Sequence, residues 1–152
     1  MSEGTASSAG RVSEGVPRVP GMAHPIMYDE EDPILARLRE IALSLPGAAE
    51  KVTHGWPAFH TVKVFGYYGG SVKVDGAYVR HEQSLLVLAD PGEYEALAQD
   101  ERVYRPAYLG PYGWLGLDLT LDMDWTEVVE LLDASYRITA PRRLIAELDA
   151  RA

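Results

Sequence analysis

The chain has 152 residues, of which 47% are hydrophobic, no cysteine and a formal net charge of −9. That length suits one domain with a real core, and the lack of cysteine excludes disulfides, thiolate nucleophiles and cysteine-ligated zinc or iron–sulfur centres. The acidic balance excludes a broad basic surface that would hold polyanions indiscriminately.

Residues 1–27 are rich in Ser, Gly, Ala and Pro and carry no apolar period, which predicts a disordered tail before a single domain over residues 28–152. The first residues lack the apolar core of a signal peptide. No apolar run approaches the roughly 20 residues of a membrane span. A cytoplasmic protein without membrane contact is the expectation.

Asp32-Pro33 opens the first helix, with Asp32 as N-cap and proline at the first helical position. Ile34, Leu35, Leu38, Ile41, Ala42 and Leu45 form its apolar stripe, and Pro46-Gly47 ends it. From Trp56 to Ala89 the period changes. Phe59 to Phe65 is rich in β-branched and aromatic residues, and Gly69-Gly70 and Asp75-Gly76 read as hairpin turns. About three or four antiparallel strands are expected there.

Asp90-Pro91-Gly92-Glu93 reads as a second helix start, with Asp90 as cap and Glu93 as its reciprocal partner. Residues 102–104 turn extended, because Pro106 disfavours helical geometry at Arg105. Leu115, Leu117 and Leu119 alternate along a further strand. Asp124 with Glu127 marks a third helix start, carrying Trp125, Val128, Val129, Leu132 and Tyr136 on one stripe, and Pro141 begins a closing helix. Grouped strands between helices define an α+β fold with an antiparallel sheet.

These residues also carry a family resemblance. Leu45-Pro46-Gly47, the run Trp56-Pro57-x-Phe59-x-x-x-Lys63-x-Phe65, the segment Asp100-x-Arg102-x-Tyr104-x-Pro106-Ala107-Tyr108, Gly113-Trp114 and Ser135-Tyr136 together resemble the MmcQ/YjbR-like family over residues 33–149. The resemblance implies an α-β(3)-α-β(2)-α order, similar to type III secretion chaperones. It also implies DNA binding through strands and loops that act as paired wings.

The residues themselves distribute the charge unevenly. Residues 51–81 hold four cations against one acid, a net of +3, while residues 82–136 hold two cations against twelve acids, a net of −10. A restricted basic face is therefore conceivable. Lys63, Lys73, Arg80, Arg102 and Arg105 would meet phosphates, with His81 among the binding residues, and Tyr67, Tyr68, Tyr78, Tyr104 and Tyr108 would stack on bases or on a planar ligand. Strand alternation would set Lys63 opposite Val62 and Val64. The competing reading of each is a solvated cation or a tyrosine packed on a sheet.

Other chemistry finds less support. His54, His60 and His81 show no metal-ligand spacing, and Asp118, Asp122 and Asp124 do not match a calcium loop. Ser84 lies near His81, but no third partner completes a nucleophilic set. No catalytic residue, metal or cofactor is expected. The first functional expectation is a non-enzymatic protein that binds DNA weakly and in a salt-sensitive way. The alternative is a small-molecule module with a planar ligand in an aromatic cleft of Tyr104, Tyr108, Tyr112 and Trp114. A protein-interaction adaptor ranks third. A contiguous positive face joining Lys63, Lys73, Arg80 and Arg105 favours nucleic acid, and their scattering favours the small molecule.

Overall fold

A computed structural model describes residues 25–151. Among them the chain runs α1 (Pro33–Leu43), β1 (Ala49–Thr53), β2 (Trp56–His60), β3 (Val64–Val74), β4 (Ala77–Leu88), α2 (Tyr94–Leu97), β5 (Val103–Tyr104), β6 (Trp114–Asp118), α3 (Trp125–Thr139) and α4 (Arg142–Ala150), with a 3-10 turn at Gly110–Tyr112. The strands form one sheet in the order β1-β2-β3-β4-β6-β5, and every neighbouring pair is antiparallel. This is the expected α+β class. Four strands precede α2, so the first group is one strand longer than the implied order. The expected tail falls largely on residues 1–24, outside the described residues. Met27 already belongs to the folded body, because its N–H donates to the Gly55 carbonyl at 2.8 Å.

The additional strand is β1, and its turn explains why it escapes the pattern. His54 (φ 53°) and Gly55 (φ 90°) both sit in the left-handed region between Thr53 and Trp56, which pair across the hairpin. Asp75 (φ 50°) and Gly76 (φ 82°) do the same between β3 and β4. Two-residue turns with both φ positive match the right-handed twist of the strands they join. Asp-Gly announces such a turn, whereas His-Gly does not.

Two expected turns and strands change place. Gly69-Gly70 is not a hairpin; it lies inside β3, where the register with β4 shifts between Tyr68 and Gly70. Gly69 has φ +90°, and any side chain there would run into the Trp56 ring, so glycine marks a bulge under an aromatic lid. The Phe59–Phe65 run is not one strand either. It breaks at residues 61–63, where Thr61 N–H donates to the Lys63 carbonyl at 3.1 Å. Lys63 is therefore a turn residue.

One face of the sheet carries the core. Leu35 and Leu38 from α1 and Val128, Leu132 and Tyr136 from α3 meet Phe59, Phe65, Leu85, Val87 and Leu117 from the strands. Each such side chain contributes about 1.5–3 kcal/mol by leaving water. The buried hydroxyls that α3 brings into this layer are satisfied. Tyr136 Oη donates to the Pro46 carbonyl at 2.6 Å. Ser135 Oγ donates to the Phe65 carbonyl at 2.7 Å and accepts from Leu88 N–H at 3.0 Å.

The helix starts divide. Asp32 caps α1 as expected, accepting from Ile34 N–H at 2.9 Å, and it also accepts from the Tyr68 hydroxyl. Asp124 caps α3 through Thr126 N–H at 3.0 Å, but Glu127 turns away to Arg102. Asp90 does not cap a helix. Its carboxylate accepts from Gly92 N–H at 2.9 Å within a turn, and the single-turn α2 begins only at Tyr94. Pro91-Gly92 spaces the carboxylate too far from the first helical amides.

The other face is crossed by the segment between β5 and β6. Tyr104 lies over Gly116, and Ala107 N–H donates to the Ser71 carbonyl at 2.8 Å before the chain returns to Trp114. Beyond this cover the β3–β4 hairpin continues alone. Strand β2 pairs with β3 only as far as Tyr67, and β6 pairs with β4 only from Ser84 onward. Residues 73–80 are all exposed. They form a projecting two-stranded ribbon.

Candidate functional site

The Asp75-Gly76 turn sets the ribbon's register, with Lys73 opposite Tyr78 and Ser71 opposite Arg80. Directly opposed residues share a face, and alternate residues repeat it. Lys73, Tyr78 and Arg80 therefore present one surface. Lys73 Nζ stands 5.7 Å from the Tyr78 ring centroid. The Tyr108 ring stacks on Tyr78 at 5.8 Å, and their hydroxyl oxygens are 2.6 Å apart. Tyr108 is 74% exposed and holds φ at +67°. A bulky residue in that region is strained by about 1–3 kcal/mol, and an exposed ring contributes little core burial to offset it.

Lys63, Arg102 and Arg105 do not join this surface, and Arg80, which does, already has partners. Lys63 sits at the far end of the eleven-residue β3, roughly 30 Å from Lys73 along the strand. Arg80 lies 5.9 Å from the Trp56 ring centroid and 3.4 Å from the Glu82 carboxylate. Arg102 is gripped by Asp100 at 2.6 Å and Glu127 at 2.8 Å. Those contacts with Arg102 hold the Asp100 carboxyl down at about 2. Arg105 pairs with Glu95 at 3.1 Å and covers the Tyr94 ring at 5.1 Å. The four cations of the expected contiguous face are thus scattered, and two neighbours on the ribbon remain, Lys73 and Arg80.

His81 and Tyr104 belong to a different constellation. The His81 ring stacks on Tyr104 at 4.0 Å, and its Nδ1 lies 2.8 Å from an Asp118 oxygen. Ser84 Oγ donates to the His81 carbonyl at 2.8 Å, so its contact of 2.6 Å with Tyr104 is accepted from the tyrosine. Burial pushes the Tyr104 hydroxyl well above its ordinary range. The serine proton points at a main-chain carbonyl rather than at a base, and the tyrosine holds its proton. The arrangement locks β4 to β5 and β6. It does not activate a nucleophile. Among the described residues, no group of three His, Asp or Glu side chains could hold a metal ion.

The four aromatics of the expected cleft do not assemble. Tyr104 packs against Gly116 and His81. Trp114 is buried against Tyr67 at 5.1 Å. Tyr108 and Tyr112 are exposed, the latter by 76%. A cavity of about 470 Å³ does exist, but it lies on the helix-bearing face between α2 and α3, and none of the four lines it. Nothing in the spacing of Glu93, Leu97, Leu131 and Ala134 announces it, because tertiary packing alone brings these residues together. Of the remaining stacking candidates, Tyr78 joins the ribbon face opposite Lys73, whereas Tyr68 is buried against Asp32 and Tyr67 packs on Trp114.

The family model described as YjbR matches residues 43–138, and the chain belongs to that family. Among solved structures, the chain is similar to the crystal structure of Deinococcus radiodurans protein DR2400, described as a DUF419 domain. The identity is 18%, with 68% of this chain and 76% of that chain covered and a TM-score of 0.49. Among curated proteins, none matches the chain. No helix among the described residues is long and apolar enough to cross a membrane.

Proposed function

We propose that this YjbR-family chain is a non-enzymatic binding protein that contacts nucleic acid through its β3–β4 ribbon. The observation that carries the reading is the ribbon's exposed face, where Lys73, Tyr78 and Arg80 share one side and Tyr108 stacks beside them. A two-stranded β-ribbon has the width that the major groove of B-DNA admits. Lysine and arginine would meet phosphates, and the tyrosine edges would meet sugar or base. The strained backbone at Tyr108 supports a role beyond packing.

The scattering of Lys63 and Arg105 counts toward a small-molecule reading, but the aromatic cleft expected for that ligand does not assemble either, and the two cations left on the ribbon set the strength of the contact. With Lys73 and Arg80 alone neutralising phosphates, log K should fall against log salt with a slope of about −1.8, a loss of about tenfold between 50 and 200 mM. The charge of −9 lowers affinity further. Fluorescence anisotropy of a labelled 20-base-pair duplex at low and moderate salt tests the proposal. Binding should appear at low salt and be lost in Lys73→Ala/Arg80→Ala, while Lys63→Ala leaves it unchanged. Absence of binding at low salt, or binding indifferent to the double substitution, would overturn it.

A further inference from the structure

The cavity between α2 and α3 combines an apolar interior with a one-signed rim. Its floor is Val87, Leu115 and Leu117, and its walls include Leu97 from α2 and Leu131 from α3. Those two walls stay only half-buried, so apolar surface faces the opening. Around the mouth stand Asp90, Glu93, Glu127 and Glu130, and no cation lines it. Glu127 is already engaged by Arg102 at 2.8 Å. Asp90 spends one oxygen on Gly92 N–H. The acidic charge left over at the rim is that of Asp90, Glu93 and Glu130.

From this geometry we infer a binding site for a small apolar molecule that bears a protonated amine. Its body would occupy the leucine- and valine-lined interior, and its ammonium would stand at the carboxylate rim. The volume of about 470 Å³ lies within the range of small-molecule sites, roughly 300–1,000 Å³. Charge complementarity selects the sign: a carboxylate ligand would meet like charge, and a neutral one would gain burial alone. A bare metal ion does not fit, because the described residues offer no group of three ligands and the interior is hydrocarbon. The site lies on the helix-bearing face and is independent of the ribbon.

The experiment uses the full chain with three probes of one shape, 4-phenylbutylamine, 4-phenylbutanol and 4-phenylbutyrate. Calorimetry gives their affinities, and amide chemical shifts locate them. The amine should bind at least about tenfold tighter than the alcohol, with the carboxylate weakest. Shifts should concentrate at Val87, Leu115, Leu117 and Leu131. Glu93→Gln/Glu130→Gln should reduce the amine to the level of the alcohol, and Ala134→Phe, from an exposed position on α3, should block all three probes. Equal binding of amine and carboxylate, shifts centred elsewhere, or an amine affinity untouched by the double Gln variant would overturn the inference. So would saturation by an amphipathic Leu-Lys peptide with no response to any small probe, which would assign the cleft to a protein segment.

Discussion

The hydroxyl oxygens of Tyr78 on β4 and Tyr108 in the β5–β6 segment lie 2.6 Å apart above a stacked ring pair. That contact ties the β5–β6 segment to the ribbon formed by the central strands β3 and β4. It is made in the open, with Tyr78 49% and Tyr108 74% exposed. Stacking of this kind contributes about 0.5–1.5 kcal/mol, which the strained φ of Tyr108 largely cancels.

Tyr108→Gly should therefore change stability by less than about 1 kcal/mol, since glycine relieves the positive φ as the stack is lost. Its affinity for the duplex should fall. Denaturant unfolding beside anisotropy separates the two, and a large loss of stability would mark Tyr108 as structural instead.

Gly116→Ala should be costly. An added methyl would collide with the Tyr104 ring, which rests against the bare backbone of β6. Overpacking of this type costs about 1–3 kcal/mol. In the Tyr104→Ala background the same substitution should cost little, giving a coupling of at least about 1 kcal/mol in a double-mutant cycle. Additive effects would show that the ring does not pin the glycine.

Ser135→Ala should destabilise the chain by about 1–3 kcal/mol, because one buried hydroxyl serves Phe65 on β3 and Leu88 on β4 at once. Urea midpoints measure this. Amide exchange at Leu88 should quicken in the variant, and an unchanged exchange rate would argue against the assigned contact.

Acid should weaken the Arg102 clamp. The Asp100 carboxyl drops from its ordinary 3.8 to about 2 in the folded chain, chiefly through hydrogen bonds from the Arg102 side chain. A carboxyl depressed by folding stabilises above its unfolded pKa, and that contribution fades as pH falls from about 4 toward 2. The stability difference between wild type and Arg102→Gln should accordingly shrink over that window. Both groups are solvent-facing, so the difference at neutral pH should be modest. A difference that stays constant down to pH 2 would contradict the clamp.

Local signals in the chain were legible where chemistry is local. Asp75-Gly76 declares its turn, and the register that follows brings Lys73, Tyr78 and Arg80 to one face. Asp32 and Asp124 declare their caps. Signals failed where a distant partner decides. His54-Gly55 adopts the same turn as Asp75-Gly76 without the usual residue, which hides β1. Gly69 looks like a turn until Trp56 is known to lie over it. Arg102 and Arg105 look like free cations until Glu127, twenty-five residues away, and Glu95, ten residues away, close on them. The cleft between α2 and α3 has no linear signature at all, because its walls come from separated segments.

The projecting ribbon has a cost for a protein at high concentration. Beyond the sheet, its outer edges carry backbone groups that no neighbouring strand among the described residues engages, apart from the contact of Ser71 with Ala107. Such an edge is a template for another chain to zip onto. Lys73, Asp75, Arg80 and Glu82 stand exposed along it, and lateral association would strip water from Lys73, Asp75 and the Arg80–Glu82 pair. The same charged side chains proposed to meet a polyanion would thus also keep two copies of the ribbon from growing into a continuous sheet.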